Sequence, residues 1–318
     1  MLIEKENKNI LRPDKLSEYI GQEKLKKSLS ISINASKKIN KNLDHILFYG
    51  PAGLGKTTIS TLIANEMGVN IKSQSAPSIE KTGDIASVLL SLEENDILFI
   101  DEIHRLNIQI EEFLYSAMED FFIEIITDVS GEKKPYKISL PKFTLIGATT
   151  LPGSLSIPLR NRFGMQHKLE YYSDNDIKTI LKNNAIKINF DISENALIEI
   201  AKRSRGIPRL ANKILSRFHE YCISEEIDIN NPEEIINAIM IMTGMNNLGL
   251  NESDINILNT LKNKKPMGIK SISSLSGEDI SNVENVIEPY LIKLGLIEKT
   301  PRGRVITDKG INVLKKDA

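Results

Sequence analysis

The sequence predicts an α/β phosphate-loop domain built on a mostly parallel sheet, then a small helical domain, then a C-terminal winged helix. Three observations carry that expectation. Short apolar runs at residues 44–50, 96–102 and 143–150 alternate with helical patterns, as strands do in a sheet covered on both faces. A complete GxxxxGK[ST] string at residues 50–57 directly follows the first run. From residue 173 onward, helical periodicity replaces strand patterning, and the chain ends in a small basic hairpin pattern.

The elements follow in order. Residues 1–20 are polar and then partly apolar, and a helical pattern runs over about residues 22–38. "DHILFYG" is closed by glycine, "DILFIDE" ends abruptly in two acids, and "FTLIGATT" ends in two threonines. Residues 57–67 read as the helix after the glycine loop. Between the second and third strands, residues 121–140 show two β-favouring arms around a charged, turn-rich centre, an inserted hairpin. Apolar positions at Ile177, Ile180, Leu181, Ala196, Leu197, Ile200, Leu210, Ile214 and Leu215 mark helices in the next segment. Glycines and asparagines break the pattern at residues 242–254. The boundaries read from these shifts are 1–170 for the large domain, 171–243 for the helical one and 244–318 for the last.

Composition narrows the function classes. The 318 residues carry 41 basic and 42 acidic side chains, for a net charge of -1, which excludes a protein that coats nucleic acid by bulk charge. Locally the balance shifts: from Lys293 onward, seven basic side chains face three acidic ones. The single cysteine, Cys222, excludes an intramolecular disulfide and a cysteine-built zinc or iron–sulfur site. No apolar run approaches the roughly 20 residues of a membrane span, and the N-terminus lacks a signal-peptide core, so the chain reads as cytoplasmic.

Chemistry concentrates at the strand ends. Gly50, Pro51, Ala52, Gly53, Leu54, Gly55, Lys56, Thr57 and Thr58 form a phosphate loop, whose backbone N–H groups suit phosphate oxygens. Lys56 suits the β and γ phosphates, and the Thr57 hydroxyl suits magnesium. Asp101 and Glu102 close an apolar strand where burial of two carboxylates has no packing rationale. Asp101 suits magnesium, directly or through water, and Glu102 suits an attacking water as its base. His104 follows, either as a relay of state or as a hydrogen-bonded surface group. Thr149 or Thr150 stands ready to orient the water or sense the γ-phosphate, although threonine is common in strands. Arg160 and Arg162 are either solvated loop residues or suppliers of positive charge to a neighbouring site. Arg209 sits at a helix start, against the favourable sense of the dipole, which points to a bound anion.

Taken in order and in register, these strings resemble the AAA+ ATPases and, within them, the RuvB family of bacterial Holliday-junction branch-migration motors. The likeness covers almost the whole chain: "LRP" at 11–13, "YIGQ" at 19–22, "LFIDEIHRLN" from Leu98, "EEFLYSAMEDF" from Glu111, "PLRNRFG" from Pro158, "AKRSRGIPRLANK" from Ala201 and "EPYLIKLGLIEKTPRGR" from Glu288. The resemblance implies ATP and Mg2+ as cofactors, Thr150 as one γ-phosphate sensor and Arg209 as another, and Arg162 as a finger entering a neighbour's site. It implies an adenine pocket from Leu11, Arg12, Tyr19, Ile20 and Tyr172, and DNA contacts from Arg302 and Arg304. It further implies a hexameric ring around double-stranded DNA, docking to RuvA through the 121–140 hairpin, and a place beside RuvC in recombination and repair. The sequence departs from the family pattern at Ala52, where a second proline is usual, at Ile207, where threonine is usual, and over residues 264–278. A clamp-loader-like subunit and a nucleotide-regulated DNA scaffold are the competing readings. The terminal wing counts against the first, and the complete catalytic set against the second.

Overall fold

The apolar runs of the N-terminal half pair into one parallel sheet. The structure, a computed structural model, describes residues 11–129, 132–225, 228, 230–263 and 265–316. The chain divides into two compact units, Met1–Tyr172 and Ser173–Ala318. The first unit runs α1 (Glu23–Ile39), β1 (Ile46–Tyr49), α2 (Lys56–Met67), β2 (Ile71–Ser75), α3 (Thr82–Leu90), β3 (Ile97–Asp101), α4 (Ile108–Glu119), β4 (Phe122–Val129), β5 (Glu132–Ser139), β6 (Thr144–Thr149), α5 (Ile157–Asn161) and β7 (Met165–Lys168). The sheet order is β2-β3-β6-β1-β7, with every pairing parallel. Ile46, Leu47, Phe48, Leu98, Ile100, Leu145 and Ile146 are fully buried, as a sheet covered on both faces requires. Two strands carry no apolar run: β2 (IKSQS) and β7 (MQHK) are the sheet edges.

A buried histidine braces the central sheet. His45 Nε2 donates to Met118 O at 2.9 Å, and its Nδ1 accepts from Leu145 N at 2.8 Å. Both ring nitrogens are therefore committed to one neutral tautomer, and burial lowers the pKa. The unfolded chain takes up this proton near pH ~6.5, while the folded chain resists it, so stability is present above that pH and is lost as pH falls. The denaturation midpoint should fall between about pH 8 and pH 5.5, and His45→Gln should flatten that dependence. Urea titrations at both pH values check this; equal slopes for the two proteins would overturn it. His104 and His167, also lowered by burial, contribute in the same direction in both.

The insertion is an antiparallel hairpin, β4 with β5, in register from Phe122↔Ser139 to Val129↔Glu132. Its turn at 130–131 lies outside the described residues. Ile123 is buried, and Ile125 and Ile138 pack against the main core, so the two arms bury more of their apolar side chains than a protruding hairpin would. Ile125 is thus partly a packing residue. The side chain of Ile126 is outside the described set. The exposed aromatic is Tyr136, at 48%, opposite Ile125 in the ladder.

The second unit opens with four helices, α6 (Asp174–Lys187), α7 (Glu194–Arg203), α8 (Pro208–Ser224) and α9 (Pro232–Thr243). Ser173 and Asp176 form a capping box that fixes the start of α6. There follow α10 (Glu252–Thr260), α11 (Ile269–Ser276), α12 (Ile280–Asn282), a π-turn over Val283–Ile287, α13 (Glu288–Lys293), the hairpin β8 (Ile297–Thr300) and β9 (Gly303–Ile306), and α14 (Asp308–Lys316). Leu250, Ile257, Leu258, Ile272, Leu291 and Ile306 form the core of this last part. Two buried arginines join it to the four helices. Arg203 pairs with Glu199 and donates to Asn247 Oδ1 at 2.7 Å. Arg205, at φ +60°, pairs with the fully buried Asp254 at 2.6 Å, donates to Gly249 O at 3.1 Å and lies over the Tyr290 ring.

Candidate active site

The phosphate loop is shaped by glycine. Gly50 takes φ +138°, and a Cβ there would stand 2.6 Å from Leu169 O. Gly55 takes φ +100°, and a Cβ there would meet Tyr19 Oη at 2.7 Å. Neither position accepts a side chain without displacing its neighbours. Helix α2 starts at Lys56 with no side-chain cap among the described residues, so its first N–H groups are natural partners for an anion. Lys56 is buried and donates to Gly50 O at 2.7 Å and Pro51 O at 3.0 Å, which holds the ammonium against the loop. Thr57 and Thr58 are half-buried, Leu54 is fully buried and Ala52 is exposed.

The sheet order sets β6 between β1 and β3, which places the loop after β1, the acids after β3 and the threonines after β6 along one edge. Glu102 sits in the left-handed region, φ +50°, and turns the chain sharply off β3. Asp101 Oδ1 accepts from Glu102 N at 3.0 Å. Thr150 Oγ1 donates to Glu102 Oε2 at 3.2 Å. Thr149 is fully buried and accepts from Leu151 N at 2.9 Å, so the structure brings Thr150, not Thr149, to the acid. His104 Nδ1 lies 3.3 Å from Glu102 Oε2 and 2.9 Å from Thr149 Oγ1. Burial lowers the His104 pKa, while the Glu102 charge pulls the other way.

On the nucleoside side, Tyr19 and Tyr172 are both buried, with their hydroxyls 2.8 Å apart and each within 3.4 Å of Leu54 O. Burial and the neighbouring phenol push Tyr19 well above its usual pKa, so it stays neutral. Leu11 and Ile20 are half-buried and Arg12 is exposed.

Arg162 follows α5; it pairs with Glu119 at 3.0 Å, donates to Pro158 O at 2.9 Å and stacks 4.1 Å over the Tyr115 ring. Arg160 is exposed and donates to Gln166 Oε1 at 3.2 Å. In the second unit, Arg209 is exposed as the second residue of α8. Arg302 is exposed in the β8–β9 turn, whereas Arg304 is buried and donates through Nε to Glu288 Oε2 at 2.6 Å.

The donor set suits a magnesium nucleotide. Glycines at positive φ, an uncapped helix start and a buried lysine fit an anionic phosphate chain. A hydroxyl and one carboxylate fit a hard cation that completes its shell with phosphate and water. Among the described residues, no cluster of three or more metal-ligating His, Cys, Asp or Glu side chains occurs.

A five-stranded parallel sheet of this order, with the loop and acid pair on its C-terminal edge and a helical lid following, defines a P-loop ATPase of the AAA+ class. Three family descriptions then cover the chain in succession: "Holliday junction DNA helicase RuvB P-loop domain" over residues 11–169, "RuvB AAA lid domain" over 172–244 and "RuvB C-terminal winged helix domain" over 247–315. The chain belongs to the RuvB family. It is similar to the Holliday junction branch migration complex subunit RuvB of Fusobacterium nucleatum, 51% identical over 311 residues, covering 96% of this chain and 93% of that protein. The same subunit from Campylobacter hominis is 48% identical, covering 98% and 92%. Among solved structures, the Thermotoga maritima RuvB Holliday junction branch migration motor superposes with a TM-score of 0.85 at 40% identity, covering 96% of this chain and 98% of that one. No helix among the described residues is long and apolar enough to cross a membrane.

Proposed function

We propose that the chain is an ATP-driven motor that moves Holliday junctions in recombination and repair, coupling hydrolysis to translocation of double-stranded DNA. The carrying observation is the Glu102–Thr150 contact beside the phosphate loop, in a chain that aligns along nearly its full length with branch-migration subunits. Three modules serve it, at 1–170, 171–243 and 244–318, a division that the successive family matches support.

Lys56 and the loop amides hold the β and γ phosphates, and Thr57 and Asp101 hold Mg2+, which neutralises charge on the phosphate oxygens when bound. Glu102 accepts the proton of the attacking water, with its carboxylate oriented by Thr150. Arg209 and Thr150 read the γ-phosphate, and Arg162 reaches the site of the next subunit in a ring, a hexamer in this reading. Tyr19, Tyr172, Ile20, Leu11 and Arg12 enclose the adenosine. Arg302 meets the DNA phosphates, while Arg304, held by Glu288, keeps the hairpin in shape. Such contacts give salt-dependent binding with little base preference.

The hairpin docks RuvA, and its exposed Tyr136 is the anchor. RuvC joins the larger assembly. With RuvA and a mobile four-way DNA junction, the chain should release duplex products only with hydrolysable ATP and Mg2+. Tyr136→Ser should slow that release at least about tenfold while leaving its own ATPase rate in place. Product formed with a non-hydrolysed analogue would overturn the motor. Unchanged release by Tyr136→Ser would overturn the docking site.

A further inference from the structure

We infer that His104 is a positioning residue for Glu102, holding the carboxylate in the pose that accepts the water's proton. The inference rests on the reading of Glu102 as the base. His104 is the inner of the two: its side chain is 12% exposed against 33% for Glu102. It therefore backs the carboxylate from the protein side.

The Glu102 charge beside Nδ1 selects its tautomer. A neutral imidazole carries one ring proton, on Nδ1 or on Nε2. If the proton were on Nε2, the Nδ1 lone pair would face the Glu102 carboxylate at 3.3 Å, a repulsive contact. With the proton on Nδ1, one N–H faces two oxygens, Thr149 Oγ1 at 2.9 Å and Glu102 Oε2 at 3.3 Å. Thr149 is itself fixed, because it is fully buried and its Oγ1 accepts from Leu151 N. The imidazole is thus anchored on β6 and reaches the acid at the end of β3. Thr150 Oγ1 donates to the same Oε2 at 3.2 Å. Thr150 thus hydrogen-bonds Oε2 while the Nδ1 edge of His104 stands against the same oxygen, and the two together confine the carboxylate. The backbone needs this help: Glu102 stands at φ +50°, where a non-glycine residue is held only by its surroundings.

The test compares side chains by where they can donate. His104→Asn places an amide N–H near the Nδ1 position. His104→Gln reaches only the Nε2 position. His104→Phe keeps volume and removes both. Steady-state ATPase assays, analogue-binding titrations and thermal melts are run on the full chain. His104→Phe should lower kcat by roughly ten- to hundredfold with analogue affinity and melting temperature held, since misplacing a base by about 1 Å costs that much. His104→Asn should recover most of kcat, and His104→Gln should not. On Glu102→Gln, His104→Phe should add no further loss, because there is no base left to position. Wild-type kcat in His104→Phe, or equal kcat in the Asn and Gln variants, overturns the proposal. If His104→Phe does not fold, the Asn–Gln comparison decides alone. Failure of the underlying reading looks different: Glu102→Gln itself would then hydrolyse ATP at the wild-type rate.

Discussion

Glu102→Gln should bind ATP as the wild type does and lose hydrolysis by about 10²–10⁴-fold, the range of a general base. The substitution keeps size, keeps a hydrogen-bonding oxygen for Thr150, and removes only the ability to accept a proton. Binding is expected to persist because the groups that grip the phosphates, the loop amides and Lys56, come from β1 and α2 and not from the β3 end. The check is a pair of measurements on one preparation: equilibrium titration with nucleotide and single-turnover phosphate release. Turnover near the wild-type rate would remove Glu102 from the chemistry. Loss of binding in parallel with turnover would make it a ligand and not a base.

Arg162→Ala should bind ATP and hydrolyse it about 10³–10⁵-fold more slowly, as expected for a finger acting in trans. Within one chain the guanidinium is braced by Glu119, by Pro158 O and by the face of Tyr115, so it is held at a defined place on the surface of its unit. Bracing of this kind reduces the entropy lost when it meets a neighbour's phosphate. Mixing Arg162→Ala with Glu102→Gln separates the cis and trans assignments. In a mixed ring, a subunit with an intact Glu102 can face a neighbour with an intact Arg162, and activity should return above the sum of the parents. Phosphate release across mixing ratios is the measurement, with labelled subunits to verify that mixed rings form. Mixed rings without recovery would return Arg162 to a cis role. Recovery lost only when Arg160 is also changed would bring Arg160 into the finger.

Legibility followed burial. Strands β1, β3 and β6 are visible in the sequence because both of their faces are covered, which forces continuous apolar runs. The edge strands β2 and β7 mix half-buried and exposed positions, with Lys, Gln and His among them, and such short polar segments resemble loops. The glycine loop and the acid pair are legible because their residue types contradict packing logic. Local pattern does not separate Thr149 from Thr150, since a strand's two faces depend on register; the resemblance names Thr150, and the structure shows Thr149 turned inward. The pairing of Arg304 with Glu288 joins residues 16 apart across a turn of the fold, with no local sequence pattern to announce it.

The buried Arg205–Asp254 pair has a mechanical meaning. It sits where the helical and winged parts of the second unit meet, with Tyr290 beneath the guanidinium and Lys293 donating to the Arg205 carbonyl. Breaking such a pair leaves a charge stranded away from water, so thermal energy does not open it casually. The segment joining the two parts therefore behaves as a weld and not as a hinge. A rigid arm transmits displacement, so a turn of α8, which carries Arg209, would be passed on to the hairpin that carries Arg302. Slack at the weld would dissipate that stroke as wobble. In the motor proposed above, stiffness at Arg205 would set how faithfully each hydrolysed nucleotide is converted into travel.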